Sequence, residues 1–492
     1  MKFKWSIWIS FLLTGLLACR KNNARPDAPS GNRTQLTLDS IYLYAQQTYL
    51  WNEALPSFAS FNPRKYEANA AERSALDREI FDLSQLKVNP LTGFAYELPL
   101  FAGVAKYSYL TDQSGRTSQS VAALSEPENN LGIGLAVSGS LIFISYVNPG
   151  SAAFKSGLER GDQVLEIDGM AATAGLAEKM TSAASAVLTC KKPDQSVRKV
   201  DLAKSVYENH GVFSVKLLQG SRNKVAYLAL GQFNRLSVSK TELDQAFALF
   251  SSVQPAQLIL DLRYNGGGFV ESAEYLANLL AGSSLNGQVI YSEHFNDLLQ
   301  RGQTGILKNQ AYLNDQGQAV YLNGKRATMA DVNFSVAANT HTFKKQGALE
   351  SLKEIYFIVG PNTASASELL INSLKPYFQV KLTGSRTYGK PVGFFGINID
   401  KYILYLSNFE IRNALGQGGY YSGFVPDAVV ADDVSKNFGD PAEACLAMVL
   451  RQINGAVAAG NSSVPLSAAA PRLLGTDAAA KGMLKNHLNL KN

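Results

Sequence analysis

Ser365 lies in the segment Thr363-Ala-Ser-Ala-Ser-Glu368, and Lys390 closes Thr387-Tyr-Gly-Lys390, 25 residues further on. A serine hydroxyl becomes a nucleophile only when a base takes its proton. Lysine can be that base if its pKa falls from about 10.4 to about 7–8, a change of roughly 4 kcal/mol in the balance of its two protonation states. Burial in apolar surroundings disfavours the ammonium and supplies such a change. Tyr388, Pro391, Val392, Phe394 and Phe395 are the side chains expected to build that pocket.

The elements that must hold these groups can be read around them. Ile355-Tyr-Phe-Ile-Val359 is a short apolar run closed by Gly360-Pro361, a buried strand and its turn. A helix is expected from about Ala364 to Leu374, stopped by Pro376. Ser365 then sits at a helix N-terminus, where unpaired N–H groups and the helix dipole favour a developing oxyanion. Each residue also has an ordinary reading. Ser365-Ala-Ser-Glu368 is a capping box, Ser367 competes for the nucleophile's role, and Lys390 fits a solvated turn.

Taken together, the two segments resemble the carboxy-terminal processing protease family, serine peptidases with a Ser–Lys dyad. The 25-residue separation matches the family's pattern and selects Ser365 over Ser367. Asp261-Leu-Arg-Tyr-Asn-Gly-Gly-Gly268 is similar to the family's D-L-R-x-N-x-G-G segment, with Gly266 where a proline is common. The resemblance implies an oxyanion hole made by Gly267 or Gly268 and the N–H of Ala366. A phosphate-binding glycine loop is the rival reading there, but no Lys-Ser/Thr follows the glycines. Gly423-Phe-Val-Pro-Asp427 matches a further family segment. One departure is Phe394, where the family often has a glutamine that orients the lysine. That departure keeps a second reading open, a peptide-binding pseudoprotease with weak or no turnover. A carrier of small apolar ligands on the same fold is a third, resting on analogy alone.

Residues 128–206 resemble a PDZ domain. Leu131-Gly132-Ile133-Gly134-Leu135 is the candidate carboxylate-binding loop. The run from Pro149 to Asp162, followed by Val164-Leu-Glu-Ile-Asp-Gly169, fits the module. Glycines 132 and 134 are expected to free main-chain N–H groups for a terminal carboxylate, with the peptide added as an extra strand. The implied partners are polypeptides with free apolar C-termini.

Residues 1–19 read as a signal sequence, with Lys2 and Lys4 ahead of the apolar run Trp5–Leu17. Leu16-Leu-Ala-Cys19 resembles a bacterial lipobox, which implies lipidation at Cys19, attachment to a bacterial membrane and a periplasmic or exported location. Plain signal cleavage and an anchor helix are the competing readings. Residues 20–33 are polar and read as a tether. Residues 34–127 are expected to form a small helical domain and a connector. Its first helix, within Thr37–Trp51, turns Leu38, Ile41, Leu43, Tyr44, Tyr49 and Leu50 to the core. Residues 207–454 alternate strands and helices, an α/β core with parallel pairs. Within it, 284–335 reads as an insertion with a hairpin near Val320–Leu322, and Asp440-Pro-Ala-Glu443 as the capping box of the last helix. Residues 455–492 read as a loosely packed, Ala-rich tail. The fold class is therefore multidomain α/β: a helical N-terminal domain, a PDZ domain and an α/β peptidase-type core.

Composition narrows the partners. The 492 residues carry a net charge of +6, and four of the cations (Lys2, Lys4, Arg20, Lys21) lie at the extreme N-terminus. No basic run with interleaved aromatics occurs, which argues against nucleic acid. The four histidines are far apart and without metal-ligand spacing, so no metal or other cofactor is expected. Besides Cys19, the thiols Cys190 and Cys445 read as two buried small hydrophobes, with one long-range disulfide as the alternative.

Overall fold

The apolar strands at the centre of the chain are buried on both faces. A computed structural model describes residues 30–68, 70–113, 128–220, 223–314, 317–455, 471–474 and 488–491. The signal sequence, Cys19 and most of the tether lie outside them. Its six-stranded sheet has the order Val212–Gln219, Lys224–Leu230, Gln257–Asp261, Glu354–Val359, Gln379–Gly384, Ala428–Val429. The first pair is antiparallel and the rest are parallel. Side chains alternate across a strand. Ile355, Phe357 and Val359 therefore enter the large core with Phe247, Leu276 and Leu370 from three helices. Tyr356 and Ile358 enter the opposite core with Cys445, Leu446 and Val449 of the last helix. Near-continuous apolar runs are what a two-sided parallel sheet requires.

The last helix, Ala444–Ile453, starts three residues beyond the expected position at Pro441. Glu443 is its N-cap, accepting the Leu446 N–H at 2.9 Å, and Arg263 pins its carboxylate. Cys190 and Cys445 are both free and buried.

The N-terminal helix Arg33–Thr48 is capped by Asn32, whose Oδ1 accepts the Gln35 N–H at 3.0 Å. Leu38, Ile41, Tyr42 and Ala45 form its buried stripe, while Leu43, expected inside, is 43% exposed. Helical spacing explains this, because position 43 is i+5 from Leu38 and falls outside the i, i+3, i+4, i+7 stripe. This domain is stitched to the core. Tyr109–Asp112 pairs antiparallel with Tyr402–Tyr405. Glu97, buried, accepts from Tyr107 N–H (3.1 Å), Ser108 N–H (2.8 Å) and Ser407 Oγ (2.9 Å). In the insertion a two-strand hairpin turns at Asn323-Gly324, between Tyr321–Leu322 and Lys325–Arg326.

Residues 128–207 form a second small core. Its sheet runs Ile133–Ser138, Leu141–Val147, Gln163–Ile167, Ser185–Lys191, Val197–Ala203, with the helix Ala174–Thr181 packed on Ile133–Ser138. The tail is not loosely packed where it is described. Arg472–Leu474 adds a strand to the Ile133–Ser138 edge, and Leu490 bridges to Val332 of the insertion. Apolar Leu474 and Leu488 explain both attachments, being 2% and 6% exposed. Among the described residues no helix is long and apolar enough to cross a membrane.

Candidate active site

Strand Glu354–Val359 delivers the chain to a tight junction. Thr363 Oγ1 accepts the Gly360 N–H at 2.9 Å and donates to the Leu262 carbonyl at 2.8 Å, which fixes the loop to the neighbouring strand end. Ala364 N–H donates to the Asn265 carbonyl at 3.1 Å. Ser365 follows with φ +61° and ψ −115°, and the helix begins at Ala366, two residues later than expected. A positive φ on a residue other than glycine costs free energy and persists where the surroundings enforce it. The strain turns the chain sharply from strand to helix and sets Ser365 at the bend.

The two serines have different fates. Ser367 Oγ donates to the Asn265 carbonyl at 3.0 Å and ties the helix to the 261–268 loop. Ser365 Oγ is buried and makes no hydrogen bond among the described residues. Of the capping box, the Glu368 half is used: its Oε2 accepts the Ser365 N–H at 3.0 Å. The same oxygen accepts the Lys390 N–H at 2.8 Å, and Oε1 accepts from Gly389 N–H (2.7 Å) and Thr387 Oγ1 (2.6 Å). Burial raises the Glu368 pKa, while these donors oppose the rise.

Lys390 is 1% exposed. Burial lowers its pKa to about 7, against the opposing pull of the Glu97 and Glu368 charges. Its Nζ lies 4.3 Å from the centre of the Phe394 ring. The aromatic face thus stands beside the ammonium at the position where an amide was expected, and its quadrupole favours the charged form. The ring is itself held edge-on by Tyr109 and Tyr405. Sequence reading missed the wall contributed by the N-terminal domain. Tyr107 donates its hydroxyl to the Gly389 carbonyl, and Tyr388 to that of Lys106 at 3.0 Å. Lys106 is a second, half-buried lysine, lowered to about 8 by burial, with Nζ on the Tyr421 carbonyl at 2.7 Å. Its signal is Lys106-Tyr-Ser-Tyr109, a cation among aromatics, within the segment read only as a connector.

The glycine loop approaches Ser365 closely. A Cβ on Gly267 would stand 2.7 Å from Ser365 Cβ and 3.0 Å from the Ala366 nitrogen. Gly267 N–H donates to Asn265 Oδ1 at 2.9 Å, so it is already engaged. The N–H of Gly268 has no acceptor among the described residues, and Ala366 as first helical residue has no intrahelical one. Gly268 and Ala366 thus keep N–H groups without such acceptors among the described residues.

In the second domain, Leu131 is buried and Ile133–Ser138 carries the rest of the expected loop. Gly132 N–H donates to Asn130 Oδ1 at 2.8 Å, so it is not the free donor expected. Packing fixes both glycines: a Cβ would meet Ser151 Cβ at 2.0 Å from Gly132 and the Tyr146 ring at 2.2 Å from Gly134.

The two domains meet through a buried ion network. Arg160 donates to Asp432 at 2.6 Å, and Arg263 holds Asp261 and Glu443 at 2.8 Å each and reaches the same Asp432. Arg263 belongs to the strand end that carries the glycine loop.

Comparison with known proteins agrees with this layout. Residues 224–430 match the model of peptidase family S41, and residues 121–198 that of the PDZ domain. The carboxyl-terminal-processing protease of Picosynechococcus sp. (strain ATCC 27264 / PCC 7002 / PR-6) is 26% identical over 259 residues, 49% of each chain. The chloroplastic C-terminal processing peptidase of Tetradesmus obliquus is 24% identical over 282 residues, 53% of this chain and 51% of that one. The chain thus spans about half the length of the curated relatives it matches. A crystal structure of an S41 protease candidate from Bacteroides fragilis NCTC 9343 shares the fold, with a TM-score of 0.57 at 21% identity over 88% of this chain and all of that one. Residues 224–430 are thus a peptidase family S41 core beside a PDZ domain, and the chain is similar to carboxyl-terminal-processing proteases.

Proposed function

We propose that the chain is a serine endopeptidase that uses Ser365 as nucleophile and Lys390 as general base. The observation that carries this reading is the pairing of a partnerless Ser365 Oγ at a strained bend with a fully buried Lys390, both backbones tied to Glu368. Near neutral pH a large share of Lys390 is uncharged, because burial holds its pKa at about 7. The neutral amine takes the Ser365 proton as Oγ attacks the peptide carbonyl. Gly268 and Ala366 N–H groups hold the oxyanion, and the lysine then returns its proton to the leaving amine. A water repeats the sequence on the acyl-enzyme.

In this reading the PDZ domain selects polypeptides with apolar C-terminal tails, and Cys19 anchors the chain by lipid to a bacterial membrane in the cell envelope. The Cys19 motif lies outside the described residues, and its support is the sequence alone. The pseudoprotease alternative rested on Phe394. The ring stands 4.3 Å from the lysine Nζ and favours its charged form, so the reading of an active enzyme rests on Ser365 and the burial of Lys390.

The test is cleavage of an unfolded protein with an apolar C-terminus. Ser365→Ala is expected to abolish cleavage and leave the fold intact. Ser367→Ala is expected to retain it, since its hydroxyl serves the Asn265 carbonyl. Full activity of Ser365→Ala would end the assignment. Loss of membrane association in Cys19→Ala cells tests the anchor separately.

A further inference from the structure

The edge strand that a PDZ domain offers to a peptide is already occupied. Arg472–Leu474 runs antiparallel to Ile133–Ser138 in the register Arg472↔Val137, Leu473↔Ala136, Leu474↔Leu135. It thus heads toward the loop at 131–134, between that strand and the helix Ala174–Thr181. This is where a foreign peptide would add by strand pairing. Successive side chains of the segment point to opposite sides. Leu474 enters the small core with Leu131, Leu135, Ala177 and Met180 and is 2% exposed. Arg472 faces Glu178 of the helix at 3.9 Å. Leu473 and Pro471 turn the other way and line a cavity of about 240 Å³ with Tyr264, Gly360, Pro361 and Asp432 of the core. The segment therefore touches both the groove and the loop that leads to Ser365. It is internal, since 18 residues follow Leu474, and it brings no terminal carboxylate to the groove.

We propose that residues 471–474 are a resident, displaceable ligand of the groove, and that incoming tails with a leucine-like residue must compete with them. This rests on the reading of residues 128–206 as the substrate-selecting domain. A tethered strand meets its groove at an effective concentration on the order of millimolar. A free peptide of ordinary affinity is thus held off until it outcompetes the tether. The apparent affinity is reduced by the fraction of grooves that are empty. The side chain favoured by the groove is the one Leu474 displays, a branched aliphatic of moderate size.

The probe is a fluorescein-labelled hexapeptide of residues 469–474, Ala-Ala-Pro-Arg-Leu-Leu with a free C-terminus, binding measured by anisotropy to the full chain. Leu474→Asp places a charge in the apolar pocket and is expected to release the tail. It should bind the probe at least about tenfold more tightly than wild type. A second variant, Ala136→Cys with Leu473→Cys, joins two directly paired positions. Its oxidised form is expected to lose probe binding and to recover it on reduction. If Leu474→Asp binds no better and the disulfide changes nothing, the tail is a fixed strand of the domain and the proposal falls. Loss of proteolysis in every form, with these binding shifts intact, would count against Ser365 and Lys390 and leave the tail's role standing.

Discussion

The backbone N–H groups of Ser365 and Lys390 donate to one oxygen, Glu368 Oε2, at 3.0 and 2.8 Å. Four donors surround this carboxylate, which makes its burial tolerable. One side chain on the first helical turn thereby sets how the strand–helix bend lies against the Lys390 turn. In Glu368→Gln an NH₂ group faces N–H donors, and each unpaired buried group costs about 1–3 kcal/mol. A small displacement of reacting groups can cost roughly 100-fold in rate. We expect kcat to fall by about that factor with KM little changed. The Glu368 charge is one of two carboxylates that raise the Lys390 pKa. Its removal should move the acidic limb of the pH–rate profile to lower pH, which a purely structural loss would not do.

Lys390 makes the rate depend on pH with a definite sign. On the proposed mechanism the base works when neutral, so activity should rise through about pH 7 and fade below it. Lys390→Arg should be as inactive as Lys390→Ala, because arginine stays protonated. Stability follows the same proton. Unfolded lysine titrates near 10.4, so between pH 7 and 10 the unfolded chain binds more protons, and folding stability rises with pH there. Lys106, lowered to about 8, adds to the slope. Urea unfolding at pH 6 and pH 9 should show wild type gaining on the order of a few kcal/mol. Lys390→Met should lose most of that gain and be the more stable protein at pH 6. An unchanged gain in Lys390→Met would show that the lysine is charged in the fold.

Much of the site was legible because its signals are local. The strand–turn–helix pattern around Ser365 and the Thr387–Lys390 turn lie in continuous sequence, and the unbroken apolar run 355–359 fits a sheet buried on both faces. Which glycine N–H is already engaged was not legible. Gly267 and Gly268 are equivalent as letters, and only the Asn265 side chain, by taking one N–H, separates them. The walls around Lys390 were missed for a different reason. Tyr107 and Gly389 stand 282 positions apart, and Arg160 and Asp432 are 272 apart. No periodicity records such contacts. The tail's place on the PDZ edge was hidden likewise, since three residues among alanines carry too short a pattern to read as a strand.

Gly267 and Gly266 offer a paired test of the loop. Gly267 has φ +101°, and a Cβ there would press on Ser365 Cβ and on the Ala364 carbonyl at 2.9 Å. Gly267→Ala should displace the bend or the oxyanion donors and cost at least about 100-fold in kcat, the scale of a lost donor. At Gly266 a Cβ meets nothing within 4 Å. Gly266→Ala should therefore stay near wild type. Steady-state kinetics on both, with thermal melts to check folding, decide the matter. Equal effects would mean that the loop moves freely against Ser365.

Asp432 joins the domains, and its carboxylate should be stabilising over most of the pH range. Burial pushes its pKa up, but Arg160 and Arg263 outweigh this and hold it at about 2. Unfolded aspartate titrates near 3.9. The contribution is therefore complete above about pH 4 and is lost as pH falls through about 2. Its side chain is 18% exposed, so roughly 2 kcal/mol is an upper figure for this contribution. Arg160 is 1% exposed and packs its guanidinium on Phe438 at 4.8 Å. Removing one member of a buried pair costs about 3–5 kcal/mol, because the other is left without compensation. Here Arg263 remains as a second partner, so Arg160→Met should fall at the low end, about 3 kcal/mol. Asp432→Asn should lose more, since it takes a carboxylate from both arginines, although Arg263 keeps Asp261 and Glu443. The double variant should be less destabilised than the sum of the two, by at least about 1 kcal/mol, as for residues in one network. Urea unfolding of the three variants at pH 7 gives the cycle. Additive losses would show that Arg160 acts on the domain interface by packing on Phe438 and Tyr264 rather than through Asp432.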